Sequence, residues 1–307
     1  MPRVSVIIPV NNRATVVAEA IESVFGQTFR DFELLVVDDG STDGTWEALQ
    51  SYGPRLCPLR QPHRGAASAR NLAILRAAGE FLAFLDSDDL WRPEKLARQV
   101  EFLDQHPEVS LVHCDGWWIK GSEIPADLAS RPTFYSNRPI PQGPDAARWF
   151  MSSPILTPHV MVRRKAAEKI AGFAEDLSLH EDADFILRLL EAGEKIGYVP
   201  EPLAIVRIPA DAEPGPSLEY VLESIEVQKR SLIRSSALRP LLLPALGRSH
   251  LLAASACYQK GDRLAFLKHA LAAWRLRPRS LRRLLALLAV ILPQPWGRAC
   301  LARLWGK

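Results

Sequence analysis

VSVIIPVNNRATVVAEAIESVFGQTFRDFELLVVDDGS, residues 4–41, is the stretch whose reading decides the fold. Val4 to Ile8 is an unbroken apolar run rich in β-branched residues, and Pro9 stops it. Such a run reads as a strand buried on both faces. Thr15 to Phe25 then sets Val16, Ala20, Ile21 and Val24 on one side of a 3.6-residue period, which predicts a helix. Glu33 to Val37 is a second buried strand, ended by the turn formers Asp38-Asp39-Gly40-Ser41. A strand hidden on both faces needs helices above and below it, so strand–helix–strand in this order predicts a parallel sheet.

The same alternation continues outward. A short helix is expected at Thr45–Ser51, a weak strand at Leu56–Arg60, a helix at Ala66–Ala78 closed by Gly79, and a strand at Phe81–Leu85. Pro93 falls in the first turn of a helix reaching about His106, where proline is tolerated, and a strand follows at Val109–Cys114. The predicted class is α/β: a Rossmann-like, mostly parallel sheet flanked by helices. Gly116 to Pro158 reads as irregular, with a helical hint at Asp145–Met151 and aromatic residues Trp117, Trp118, Tyr135 and Trp149. Regular pattern returns at Val160–Val162, Lys165–Ala171, Asp182–Ala192, Ile196–Val199 and Leu203–Val206. Residues 209–216 are proline-rich and read as a linker. Beyond Ser217 the chain reads as all-helical, broken near Pro240, Gly261, Pro278 and Pro293. Tyr258–Pro278 is faintly like one tetratricopeptide unit and reads as a helical hairpin packed on its neighbours. The domains expected are 1–208, with halves at about 1–115 and 116–208, and a helical, basic region 217–307.

With 48% apolar and 24% charged residues in 307, the chain is neither disordered nor fibrous. Four dispersed cysteines without a CxxC spacing argue against a disulfide scaffold or a structural zinc site, and point to a reducing compartment. The first ten residues carry Pro9 inside the apolar run and do not read as a signal peptide. The longest apolar run, Leu284 to Leu292, is well short of the ~18–20 residues a membrane span needs. The net charge of +3 hides an asymmetry: from Leu241 onward twelve Lys or Arg face one acid, Asp262, so the rest of the chain is net acidic. Arg275, Arg277, Arg279, Arg282 and Arg283 lead into that apolar run, and Trp296 and Trp305 follow it. This end suits either peripheral contact with an anionic membrane or packing on an acidic body. No nucleic-acid partner is expected.

Ligands of such sheets collect at the carboxyl ends of the strands. Those ends carry Pro9-Val10-Asn11-Asn12-Arg13, then Asp38-Asp39-Gly40-Ser41, then Asp86-Ser87-Asp88-Asp89. Crowded carboxylates need a cation or hydrogen-bond donors to offset their repulsion, and Mg²⁺ or Mn²⁺ shared with substrate phosphates would supply one. Neither GxGxxG after the first strand nor GxxxxGK[ST] occurs, which leaves dinucleotide and P-loop readings without support.

VSVIIPVNNR, QTFRDFELLVVDDGSTDGT, GAASARN, GEFLAFLDSDD and HEDADFILRL together resemble the family 2 inverting glycosyltransferases of the GT-A fold. The resemblance runs from about Arg3 to Val206, and it departs at Asn11, where tyrosine is common. It implies a catalytic domain over 1–208, with a nucleotide-sugar half followed by an acceptor half. It implies that Asp39 meets the nucleobase edge, that Asp88 holds Mn²⁺ or Mg²⁺, and that Asp86 lies near the donor sugar or ribose. Arg70 is placed near the diphosphate. Pro9 and Val10 would meet base or ribose through backbone groups, and Asn12 and Arg13 complete that nucleotide-sugar group. Asp182 is the implied catalytic base, with Glu181 its neighbour. The donor is expected to be a UDP-sugar, the acceptor a hydroxyl of a glycan or lipid-linked molecule, and the location cytoplasmic, with the inner face of the cell membrane as one setting within it. Two rivals are a sugar-1-phosphate nucleotidyltransferase, which would want a glycine-rich loop after the first strand, and a non-catalytic sugar-nucleotide-binding module.

Overall fold

The computed structural model describes residues 1–135, 155–211 and 215–276, and the chain divides into two compact units, Met1–Ala212 and Glu213–Lys307. The first unit is built on β1 (Val4–Val10), α1 (Val17–Phe25), β2 (Phe32–Asp39), α2 (Thr45–Gln50), β3 (Cys57–Gln61), α3 (Ala66–Arg76), β4 (Phe81–Phe84), β5 (Leu90–Trp91), α4 (Lys95–Gln105), β6 (Val109–Lys120), β7 (Val160–Arg163) and β8 (Lys195–Ile208). Further helices span Arg164–Lys169 and Glu181–Glu191. One eight-stranded sheet runs in the order β3-β2-β1-β4-β7-β6-β8-β5. The β3-β2-β1-β4 half is wholly parallel, as the alternating pattern requires, while β7 and β5 run antiparallel to their neighbours.

All seven residues of β1 are buried, as the unbroken apolar run of its sequence demands. Val17, Ala20, Ile21 and Val24 of α1 pack in one core with Val6, Ile8, Val36 and Phe81. Pro58 sits in β3, an edge strand, where a missing N–H breaks no ladder.

Two expectations change. β6 does not stop at Cys114 but continues to Lys120, so Trp117 and Trp118 belong to a strand and not to an irregular segment. Its register against β8 slips around Asp115, which faces Pro202, and that irregularity blurs the strand signal in both sequences. For the same reason the two short strands expected near 196 and 203 are one, β8. Gly116 marks the close approach: a Cβ there would stand 2.5 Å from the Ala204 carbonyl oxygen and from His159 Nε2.

The second unit holds helices Leu218–Arg234, Arg239–Gln259 and Arg263–Leu276. Ser217 caps the first, its hydroxyl accepting the Tyr220 N–H at 3.1 Å. Pro240 sits in the first turn of the second. Tyr258 ends the second helix and packs on Phe266 and Ala270 of the third, so the hairpin's first arm is Arg239–Gln259, upstream of the Tyr258 start expected from sequence. Among the described residues no helix is long and apolar enough to cross a membrane. The hint at Asp145–Met151, Trp149, the breaks at Pro278 and Pro293, the run Leu284–Leu292 and its flanking Arg and Trp residues lie outside the described residues.

Candidate active site

Strands β2, β1 and β4 are neighbours, so the loops at their carboxyl ends share one edge of the sheet. Pro9 and Val10 lie opposite Val37 and Asp38 with buried side chains. Just beyond, Asn12 takes a left-handed φ of 50°, which asparagine tolerates. Its N–H donates to Ser41 Oγ at 2.9 Å and its Oδ1 accepts the Thr42 N–H at 2.9 Å. Arg13 donates its own N–H to Thr45 Oγ1 at 3.0 Å. Asn11 donates from Nδ2 to the Asp39 carbonyl at 2.6 Å, so this departure from the family pattern fastens the first loop to the second.

The two aspartates of the second loop divide the labour. Asp38 caps the turn by accepting the Ser41 N–H at 2.9 Å and faces Arg60 Nε at 3.0 Å. Asp39 is buried and surrounded by donors. Its Oδ1 accepts from Gln61 Nε2 at 2.7 Å and from the Arg64 N–H at 2.8 Å; its Oδ2 accepts from His63 Nδ1 and from the Gly65 N–H, each at 2.8 Å.

The loop after β4 joins both neighbours. Asp88 faces Arg13 across 3.6 Å, and its side chain is 42% exposed. Burial first and the nearby Asp86 carboxylate second raise its affinity for a proton, and the same two causes raise Asp89. Asp89 accepts the Arg207 N–H at 2.8 Å and so fixes the loop to β8. An under-compensated, solvent-facing carboxylate on Asp88 fits a divalent cation whose other ligands are phosphates and water. Among the described residues no three His, Cys, Asp or Glu side chains form a metal-holding group.

Arg70 does not face solvent. It is buried in α3 and its fork reaches Asp86 Oδ1 at 2.6 Å and Glu181 Oε1 at 2.8 Å. Thr157 donates to the other Asp86 oxygen at 3.2 Å. The bridge brings the first turn of the helix Glu181–Glu191 up to the β4 loop. Asp182 follows Glu181 in that turn and accepts the Ala183 N–H at 2.6 Å. It lines a small pocket with Phe84, Ile155, Phe173, Phe185 and Ile186. That apolar wall and then Glu181 push its carboxyl up to about 8. Asp184, two residues on, is buried against Arg188 at 2.6 Å and is structural.

The structure thus links Arg13 to Asp88, and Asp86 through Arg70 to Glu181 and its neighbour Asp182, while Asp39 keeps a seat of its own two strands away. Sequence reasoning missed Gln61, His63, Thr157 and Arg207. None belongs to a motif, and only the ladder pairing of Asp39 with Gln61 could have drawn attention to the first. Asn71, the last residue of GAASARN, donates to the Phe173 carbonyl and accepts the Phe173 N–H, pinning one wall of the Asp182 pocket.

Residues 5–171 match the model of a family described as Glycosyl transferase family 2. An uncharacterized glycosyltransferase of Rickettsia felis is 45% identical over 106 residues, covering 34% of this chain and only 18% of that protein's length. Among solved structures, S. aureus TarS 1-349 in complex with UDP-GlcNAc is similar at TM-score 0.67 and 19% identity, covering 99% of this chain and 89% of that one. The Pyrobaculum calidifontis mannosyltransferase PcManGT, in complex with GDP-Man and Mn²⁺, is similar at TM-score 0.59 and 23% identity, over 99% and 85% of the two chains. Both likenesses show a common fold.

Proposed function

The chain belongs to glycosyl transferase family 2, and from that premise we propose that it moves a sugar from a nucleoside-diphosphate donor to an acceptor hydroxyl with inversion at the anomeric carbon. The observation that carries this reading is the Arg70 bridge, which sets Asp182 beside the Asp86-Ser87-Asp88 loop. In a single displacement the acceptor oxygen forms the new bond to the anomeric carbon as the bond to the diphosphate breaks, and the diphosphate leaves with that electron pair. No protein nucleophile is needed. Asp182 takes the acceptor's proton, and a raised proton affinity suits it to that task near neutral pH. Asp88 would hold Mn²⁺ or Mg²⁺, which when bound supplies positive charge against the departing diphosphate. Asp39 takes the base and Asn12 and Arg13 border it; Pro9 and Val10 offer only their backbone groups, and Asp86 lies toward the sugar or ribose. The nucleotide-sugars bound by TarS and PcManGT support this class of donor, and a UDP-sugar is the donor proposed here. Residues 1–208 are read as the catalytic domain.

Calorimetric titration of UDP-sugars with and without Mn²⁺ tests the metal. Asp88→Ala is expected to erase the metal-dependent gain in affinity, because the remaining carboxylates are committed to Arg70 and the Arg207 backbone. Equal metal dependence in variant and parent would reject the assignment of Asp88.

The acceptor is proposed to be a glycan or lipid-linked hydroxyl met at an anionic membrane surface, on the strength of the basic stretch from Leu241 onward. Each cation near such a surface contributes ~1 kcal/mol. The full chain should co-sediment with anionic vesicles at low salt and be released at high salt; failure to bind at low salt removes the membrane from this account.

A further inference from the structure

An ionised carboxylate offers about four lone-pair positions, and Asp39 has all four filled. A base N–H can reach it only if a donor leaves. Two of the donors are backbone groups, and a third comes from a half-buried side chain. The Arg64 and Gly65 N–H groups belong to the backbone that turns directly into α3, and Gln61 sits in β3 opposite Asp39. The backbone of this segment also packs tightly against the Asp39 loop. Gly40, at a φ of +72°, lies so close that a Cβ on it would stand 2.6 Å from the His63 nitrogen.

The fourth donor is different. The His63 side chain is 67% exposed and touches Asp39 only through Nδ1. That atom lies 2.8 Å from Oδ2 and 3.2 Å from the Asp39 carbonyl oxygen; both are acceptors, so Nδ1 carries the proton. Rotation about the His63 side-chain bonds frees one position on Oδ2 without moving any backbone.

We propose that His63 is the exchangeable occupant of the nucleobase seat: it swings off Asp39 as the donor enters and exposes a single acceptor position. This inference rests on the reading above in which Asp39 receives the base. One vacated position suits a base with one ring N–H flanked by carbonyls, as in uracil or thymine. Guanine presents two adjacent donors, N1–H and the exocyclic amine, and needs both oxygens of a carboxylate. Gln61 and the Arg64 N–H keep Oδ1 filled, so the seat accepts the pyrimidine imide and rejects guanine. His63 and Gln61 together determine the specificity.

Titration calorimetry of the full chain with UDP and with GDP, in Mn²⁺, tests this on the parent, His63→Ala and Asp39→Asn. His63→Ala should bind UDP about five- to tenfold more tightly, since the competing charge-assisted hydrogen bond is gone, with GDP still the weaker ligand. In the parent, the proton resonance of His63 Nδ1–H should leave its hydrogen-bonded position on saturation with UDP. Unchanged or weaker UDP binding by His63→Ala, or a His63 resonance indifferent to UDP, overturns the inference. Asp39→Asn separates the two levels. If it weakens UDP binding at least tenfold while His63→Ala changes nothing, the base seat stands and only the role of His63 falls. If it leaves UDP binding intact, the seat itself is wrong and the inference falls with it.

Discussion

Asp182→Asn should lower turnover by about 10²–10⁴-fold, the usual cost of removing a general base, while donor affinity changes little. Asparagine keeps the size of the side chain and an oxygen for the Ala183 N–H, but it cannot take the acceptor's proton. The parent's pH profile carries the same signature. With the carboxyl pushed up to about 8, kcat/KM should climb close to tenfold per unit from pH 6 and level off above 8, whereas the variant's residual rate should lack that limb. Stability moves the other way. A carboxyl that holds its proton to higher pH when folded than when unfolded stabilises the fold fully below the unfolded value near 3.8, and that contribution is lost as pH rises through 8. The substituted amide has no charge to bury, so the variant should match the parent near pH 4 and exceed it by ~2–4 kcal/mol at pH 8.5 in urea unfolding. A folded variant with near-normal turnover would mean the wrong carboxylate has been chosen. Glu181 would then be the one to test, because Asp184 is closed off against Arg188.

The parallel half of the sheet was legible because its signals are local. An unbroken run such as Val4–Ile8 has few alternatives, and the turn residues after β2 and β4 mark where the strands end. The β6–β8 pair was legible only in pieces, because its irregular register around Asp115 and Pro202 interrupts the two-residue period that strand reading depends on. The site divides along the same line. Motif carboxylates announce themselves: Asp38 and Asp39 end β2, Asp86 to Asp89 follow β4, and Glu181 and Asp182 open a helix. What they touch depends on tertiary packing between residues far apart in sequence. In sequence Arg70 is a helix cation suited to a diphosphate, yet only packing across 111 residues reveals that its partner is Glu181. The fully subscribed state of Asp39 was equally hidden: His63 and Arg64 belong to no motif, and Gly65, which opens GAASARN, donates through its backbone.

Arg70→Met should cost about 2–4 kcal/mol of stability and most of the activity. Removing one partner of a buried ion pair leaves uncompensated charge, a loss of ~3–5 kcal/mol where both partners are dry. Asp86, a third exposed, recovers part of that through water. Arg70→Lys separates packing from function. A point ammonium cannot fork to two carboxylates as a guanidinium does, so the variant should fold but hold only one of Asp86 and Glu181. Arg70 is among the groups that draw the Asp182 carboxyl down against burial and Glu181. Loosening it should therefore shift the rising limb of kcat/KM to higher pH, and donor KM should change less than kcat. A cation that touches the diphosphate makes the opposite forecast: a higher donor KM with the pH limb unmoved. Urea unfolding and pH–rate profiles on the lysine variant distinguish them, and an unmoved limb would return Arg70 to the phosphate side of the site.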